Sequence, residues 1–386
     1  MIYLDHHATT PVDARVLETM LPFFTEKFGN AASRQHRWGW DASDAVEQAR
    51  KQIAALIGAG SKDIVFTSGA TEANNLAIKG LARATEGTER ADVRRDHIVT
   101  IATEHQAVLD PIGRLHRQGW RVTVVPVESD GLVDVKLLDD AITERTLLVS
   151  VMTANNEIGV LQPIRAIADA AHAKGALLHT DAVQAIGKVP FDVGALDVDF
   201  ASISAHKVYG PKGVGALYVR RRRDIKIAAE IDGGGHERGM RSGTLNVPGI
   251  VGFGRAADIA REEMPAESKR VAALRDRLLE RLKAATDGLS VNGAMPPRLP
   301  GNLNVSFAGI DGEALLVSLD DIAVSSGAAC TQAEPSHVLT ALGLPKERAL
   351  ASLRFGIGRS TTVEDVDYAA EKISSVVARL RQMSPV

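Results

Sequence analysis

The sequence predicts an α/β fold: a mainly parallel sheet with helices on both faces, joined to a smaller α+β lobe. Three observations carry this. Short apolar runs of strand length recur through the middle of the chain. Helix-like or loop segments separate most of them, the rhythm of a parallel sheet with crossover helices. Glycine- and proline-rich stretches then break that rhythm, at Asp232–His236 and again at Asn292–Asn302. At roughly 100–200 residues per domain, a chain of 386 residues has room for two such units.

Seven runs read as strands: Ile64–Thr67, His97–Ala102, Arg121–Val127, Leu147–Met152, Ala176–Thr180, Phe200–Ser204 and Gly215–Val219. Between them, Leu76–Ala84, Gln106–Arg117, Val135–Ile142 and Pro163–Lys174 space their apolar residues as helices do. A charged helical stretch follows at Ala256–Ala285. The tail then offers strands at Asn302–Phe307, Ile322–Ser325 and Ser352–Gly356, and a last helix at Val363–Met383. This divides the chain into an N-terminal segment (1–15), a large domain (16–259) and a small domain (260–386).

Composition narrows the classes. The chain has a formal net charge of -3 and a single cysteine. One cysteine excludes an intramolecular disulfide and a thiolate-rich metal cluster within one chain. The near-neutral charge argues against direct nucleic-acid binding as the main task. Met1–His7 has no basic stretch followed by an apolar core, and no apolar run approaches a membrane span of ~18 residues. A cytoplasmic protein is expected.

In open parallel sheets, ligands bind beyond the carboxyl ends of the strands. After the first strand comes Ser68-Gly69-Ala70-Thr71-Glu72, a glycine turn opening a helix. Such a start offers free N–H groups to a phosphate, although taken alone a plain capping box is the better reading. His105 follows the second strand, where it can stack on a flat ring or move a proton, or simply begin a helix. Asn155 and Asn156 follow the fourth, suited to a carboxylate or to an Asx turn. Asp181, at the end of the fifth, needs a cationic partner if buried, and Gln184 lies three residues on. Ser204-Ala205-His206-Lys207 ends the sixth, an unusual place for a lysine. Lysine there suits a depressed pKa and Schiff-base chemistry. Phosphate cradle, acid, stacking ring and lysine together describe a site for pyridoxal 5'-phosphate.

Several motifs now carry a resemblance: Tyr3-Leu4-Asp5, Ala8-Thr9-Thr10-Pro11, Gly69-Ala70-Thr71-Glu72, Thr103-Glu104-His105 and Asn155-Asn156-Glu157-Ile158-Gly159. His179–Gln184, Ser204–Lys207, Gly233–Leu245, Ser325–Cys330 and Leu353-Arg354-Phe355 extend it to nearly the whole chain. The sequence resembles the pyridoxal-phosphate-dependent cysteine desulfurases of the nitrogen-fixation and iron–sulfur-cluster type, in the class V aminotransferase-like, fold-type-I group. The resemblance implies that Lys207 holds the cofactor and moves the substrate's α-proton, and that His105 stacks on the ring as acid/base. It implies that Asp181 pairs with the ring nitrogen and Gln184 bonds the ring hydroxyl. Thr71, Ser204 and His206 would hold the phosphate, with Thr244 reaching the phosphate of a neighbouring subunit in a homodimer. Asn155 and Arg354 would grip the substrate carboxylate. L-cysteine would become L-alanine, its sulfur passing to Cys330 as a persulfide for an acceptor protein: an iron–sulfur scaffold, or a tRNA- or DNA-sulfur-modification protein.

The chain departs from that pattern in places. Relatives read Gly-Ser-Ala-Cys-Thr-Ser; here Ala328 and Gln332 replace the serines, and only Ala333 precedes Glu334-Pro335-Ser336. The cysteine loop is about two residues short, each worth at most ~3.3–3.6 Å of reach. Cys330 is therefore expected to rest away from the cofactor and to need a rearrangement or a partner. His6 replaces the relatives' asparagine. The near rival is a selenocysteine lyase or another β-eliminating lyase, which does not always need the cysteine. A metal phosphoesterase, suggested by Asp5-His6-His7, lacks further Asp or His ligands at the strand ends. Arg220–Arg223 reads as a solvated turn.

Overall fold

A computed structural model describes residues 1–85, 95–327 and 334–383. Among the described residues thirteen strands occur in chain order: β1 (Ile2–Tyr3), β2 (Ile64–Thr67), β3 (His97–Ile101), β4 (Arg121–Val125), β5 (Thr146–Ser150), β6 (Leu177–Asp181), β7 (Phe200–Ser204), β8 (Gly215–Val219), β9 (Leu289–Val291), β10 (Asn302–Phe307), β11 (Ile322–Ala323), β12 (Ser325–Ser326) and β13 (Ser352–Gly356). The large sheet has seven strands in the order β2-β8-β7-β6-β5-β3-β4. Of these seven, β8 runs against the direction of the other six. This is the mainly parallel architecture expected from the sequence.

The strands are apolar on both faces because helices cover both. Ile98, Leu148, Leu177, Phe200 and Leu217 pack into one apolar cluster with helical residues 73–82 and 108–115. Their neighbours Val99, Val149, Leu178, Ala201 and Ala216 pack into another, with residues 42–57, 164–171 and 247–259. Successive side chains of a strand point to opposite faces, so each strand feeds both layers.

A third cluster builds the small lobe, where β12-β13-β10-β9 form an antiparallel sheet against Leu274, Leu278, Leu282 and the helix Val363–Met383. The helix expected from Ala256 begins at Val247 and runs unbroken to Ala285, so both lobes pack on it. Its early glycines serve close packing: a Cβ on Gly252 would lie 2.5 Å from Met20 Sδ, and one on Gly254 would lie 2.6 Å from Ala49 Cα. The strand expected at Ile322–Ser325 divides into β11 and β12, which pair with different partners. Arg221, Arg222 and Arg223 are exposed, as a solvated turn requires, yet Arg220 and Arg222 are ion-paired. They face the buried Asp199, and also Asp197 and Asp224.

The N-terminal segment touches both lobes. β1 pairs with β11, and Leu4 lies in the small-lobe cluster. Farther on, Thr10 N–H donates to His206 O at 3.0 Å and Asp13 N–H to Tyr209 O at 3.0 Å.

Candidate active site

The carboxyl ends of β2, β3, β5, β6 and β7 carry most of the residues singled out from sequence. After β2, Gly69 caps the helix that starts at Ala70 with no side-chain cap bond among the described residues, while the Glu72 carboxylate takes the Ser68 N–H at 2.8 Å. The plain capping box is therefore absent. A helix start of this kind leaves backbone N–H groups for an anion. Strand and turn approach closely here: a Cβ on Gly215 would lie 2.7 Å from Gly69 Cα. Thr71 is exposed in that first turn, while Ser204 is buried at the end of β7. His206 Nδ1 meets Thr9 Oγ1 at 3.1 Å. Burial, then the Lys207 charge, pushes its pKa down to about 4, so it is neutral at pH 7.

Asp181 is buried and bonded by neutral donors: Asn74 Nδ2 at 2.8 Å and the Val183 N–H at 3.1 Å. No cation bonds it among the described residues, a strand-end carboxylate still able to accept a protonated ring nitrogen. Close by, Glu104 is fully buried and receives the Met152 N–H on one oxygen. Burial, with Asp181 adding to it, raises its carboxyl pKa well above the usual range. Sequence reasoning passed Glu104 by, because nothing local shows that it turns inward.

Lys207 sits half-buried in a short turn after β7. Burial first, then Arg354, lowers its pKa to about 8, against the opposing pull of Asp181 and Asp5. A lysine so placed is partly free base near neutral pH, as an attacking amine must be. Gln184 is buried; its Nε2 donates to His7 O at 2.9 Å and keeps a second hydrogen for a ring oxygen. His105 is exposed at the head of the helix Gln106–Arg117, its Nδ1 accepting the Ala107 N–H at 3.0 Å. It is a helix cap and a strand-end imidazole at once.

Arg354, on β13, projects from the small lobe to this edge. Its guanidinium donates to Asp5 Oδ1 at 2.8 Å, Ser325 Oγ at 2.7 Å and Asn156 O at 3.1 Å. Its Nε is buried without a partner among the described residues, a donor left for a carboxylate. Asn155 forms the Asx turn, its Oδ1 accepting the N–H groups of Glu157 (2.8 Å) and Ile158 (2.9 Å). Thr244 is exposed in the loop before the long helix. Cys330 and the short loop around it (328–333) lie outside the described residues. His337, just beyond, donates from Nε2 to Glu104 O at 2.8 Å and joins the small lobe to the β3 end. No group of three His, Cys, Asp or Glu among the described residues could hold a metal.

Fold and site together define a two-lobed α/β enzyme built around a strand-end lysine. The class-V aminotransferase family model matches residues 2–369, and the chain belongs to that family. It is 57% identical over 387 aligned positions to a cysteine desulfurase IscS of Anaeromyxobacter sp. (strain Fw109-5), covering 100% of this chain and 94% of that one. Among solved structures, a NifS-like protein superposes with TM-score 0.90 at 41% identity, over 98% of this chain and 100% of that one. SspA in complex with cysteine does so with TM-score 0.82 at 36% identity, over 94% of this chain and 100% of that one.

Proposed function

We infer that this chain is a pyridoxal-phosphate-dependent cysteine desulfurase. The buried Asp181, without a bonded cation and one strand from Lys207, is the observation that carries the reading. When bound, pyridoxal phosphate supplies an electrophilic carbonyl carbon and a cationic ring that draws electrons from the substrate's Cα. Lys207 would hold that carbon through its amine and would move the substrate's α-proton. Asp181 keeps the ring nitrogen protonated, Gln184 donates its spare hydrogen to the ring hydroxyl, and His105 stacks over the ring. The first-turn N–H groups, Thr71, Ser204 and neutral His206 receive the phosphate, with Thr244 completing the cradle from the second subunit of a homodimer. Arg354 and Asn155 bind the substrate carboxylate, Arg354 through its Nε and Asn155 through the amide hydrogen that Thr103 O does not take.

The sulfur step balances without an added oxidant. The Cys330 thiolate attacks the sulfur of L-cysteine, the S–S bond forms, and the C–S bond breaks toward carbon. The carbon fragment takes up protons and leaves as L-alanine, so L-cysteine and Cys330–SH become L-alanine and Cys330–S–SH. A thiolate is required because the thiol is a poor nucleophile. The persulfide passes to an acceptor protein, in a cytoplasmic setting. Among the described residues no helix is long and apolar enough to cross a membrane. The deciding experiment treats the protein with L-cysteine, then seeks alanine and a single added sulfur on the Cys330 peptide. Undiminished turnover by Cys330→Ala would favour a β-eliminating lyase instead.

A further inference from the structure

Lys207 does not end in open solvent. Its Nζ donates to two backbone carbonyls of the N-terminal segment, His7 O and Ala8 O, the latter at 2.7 Å. The His7 carbonyl is itself held by the Gln184 amide nitrogen at 2.9 Å. The same amide's oxygen meets His7 Nδ1 at 3.1 Å and Lys188 Nζ at 2.8 Å. Only one arrangement satisfies all these contacts. If the amide turned over, its oxygen would face the His7 carbonyl oxygen, two acceptors with no hydrogen between them, whatever the charge on Lys188, whose pKa burial lowers to about 7. The Gln184 oxygen therefore accepts, His7 carries its proton on Nδ1, and Nε2 is a bare lone pair. His7 is 2% exposed, and that Nε2 has no partner among the described residues.

We propose that His7 is a positioning residue for Lys207: its ring N–H locks the Gln184 amide, which fixes the carbonyl on which the lysine nitrogen rests. This rests on reading Lys207 as the lysine that captures pyridoxal phosphate. The influence runs through geometry, not through a charge on His7. Burial and the cations Lys188, Arg354 and Lys207 keep the imidazole neutral. Acceptors aligned on an ammonium favour its charged form, whereas burial and Arg354 oppose it and Asp181 and Asp5 support it. Without the lock, the carbonyl turns, the ammonium loses an acceptor, and the free amine gains.

The test follows the visible absorbance as full-length apoprotein captures added pyridoxal phosphate, at a series of pH values. The wild-type rate rises with pH and levels off at about 8. His7→Leu moves that inflection down by about half a unit, so capture below it is about threefold faster. His7→Asn, whose amide N–H takes the place of Nδ1–H, keeps the wild-type inflection. His7→Gln, with its donor one carbon farther out, follows His7→Leu. A purely structural His7 would lower the thermal midpoint and leave every inflection in place; that result overturns the proposal, as does an Asn variant displaced like Leu. If His7→Leu fails to fold, the Asn and Gln variants decide by the same criterion. Lys207→Ala separates the two levels. A capture band that persists in it overturns the reading of Lys207. If that band is absent but His7→Leu matches wild type, only the role of His7 falls.

Discussion

Around Asn292 in the small lobe, the buried polar side chains close on one another; at the strand ends of the large sheet, several stay open. Asn292 Nδ2 meets Asn304 Oδ1 at 2.8 Å, Ser306 Oγ at 2.7 Å and Ser352 Oγ at 3.2 Å. Its Oδ1 accepts from Ser306 and Arg348, both at 3.0 Å. At the other site, His7 Nε2, Asn74 Oδ1, Thr103 Oγ1, Glu104 Oε2 and Arg354 Nε are buried without partners among the described residues. An unsatisfied buried group costs about 1–3 kcal/mol, so a fold keeps one only where something else repays it. A closed network stabilises the lobe it sits in. An open one is shaped for what binds there.

The contrast can be broken by mutation. Lys207→Ala at the open site should abolish the visible band and cut alanine formation by about 10³-fold or more, with a nearly unchanged thermal midpoint. Asn292→Ala at the closed site should do the reverse. It should cost about 3 kcal/mol in denaturant unfolding and leave kcat/KM within about twofold. Comparable losses of activity from the two variants would erase the distinction. Arg354→Lys should sharpen it, lowering kcat/KM for L-cysteine by about 10–100-fold, mostly through KM, because an ammonium cannot copy the planar fork. Saturating pyridoxal phosphate should raise the apoprotein's unfolding free energy by about 2.7 kcal/mol at a hundredfold excess over Kd. Hydrogen exchange should slow around Asn74 and Thr103 and stay unchanged around Asn292.

A smaller effect concerns pH. His172 lies on Asp199 at 2.8 Å and Asp197 at 3.2 Å, and those partners raise its pKa. A folded-state pKa above the unfolded value of about 6.5 gives stability that is full below that pH and lost as pH rises through the folded pKa. His172→Gln should flatten that slope in unfolding measurements between pH 6 and 8, without moving the capture profile of Lys207.

The sequence made the large sheet legible because its strands are uninterrupted apolar runs, covered on both faces. Phe200–Ser204 and Gly215–Val219 keep their expected ends. It hid the helix Arg37–Leu56, whose single buried stripe is diluted by charged residues, and β9, which has only three residues. It also hid the start of the long helix, where Pro248 and the following glycines read as a break. Proline suits a first turn, and those glycines permit helix contact at a distance where any side chain would collide. The site was legible as strand-end residue types. What joins them was not: Asn74 to Asp181, Glu104 to Met152 and His7 to Gln184 are pairings across 107, 48 and 177 positions, with no local sign.

The N-terminal segment that bridges the lobes also sets an order of events during synthesis. β1 and Leu4 find their partners at Asp321–Ala323 and Gly356, and the carbonyls beneath Lys207 belong to residues 7 and 8. Those first residues leave the ribosome long before the stretch they pair with. The large sheet can be complete by Val219, with Gln184 already at the His7 carbonyl, while the first residues still lack their small-lobe partners. A nascent chain stalled before Asp321 has every large-sheet strand but neither the small-lobe partners of its first residues nor Arg354, and should hold pyridoxal phosphate less firmly than the finished chain.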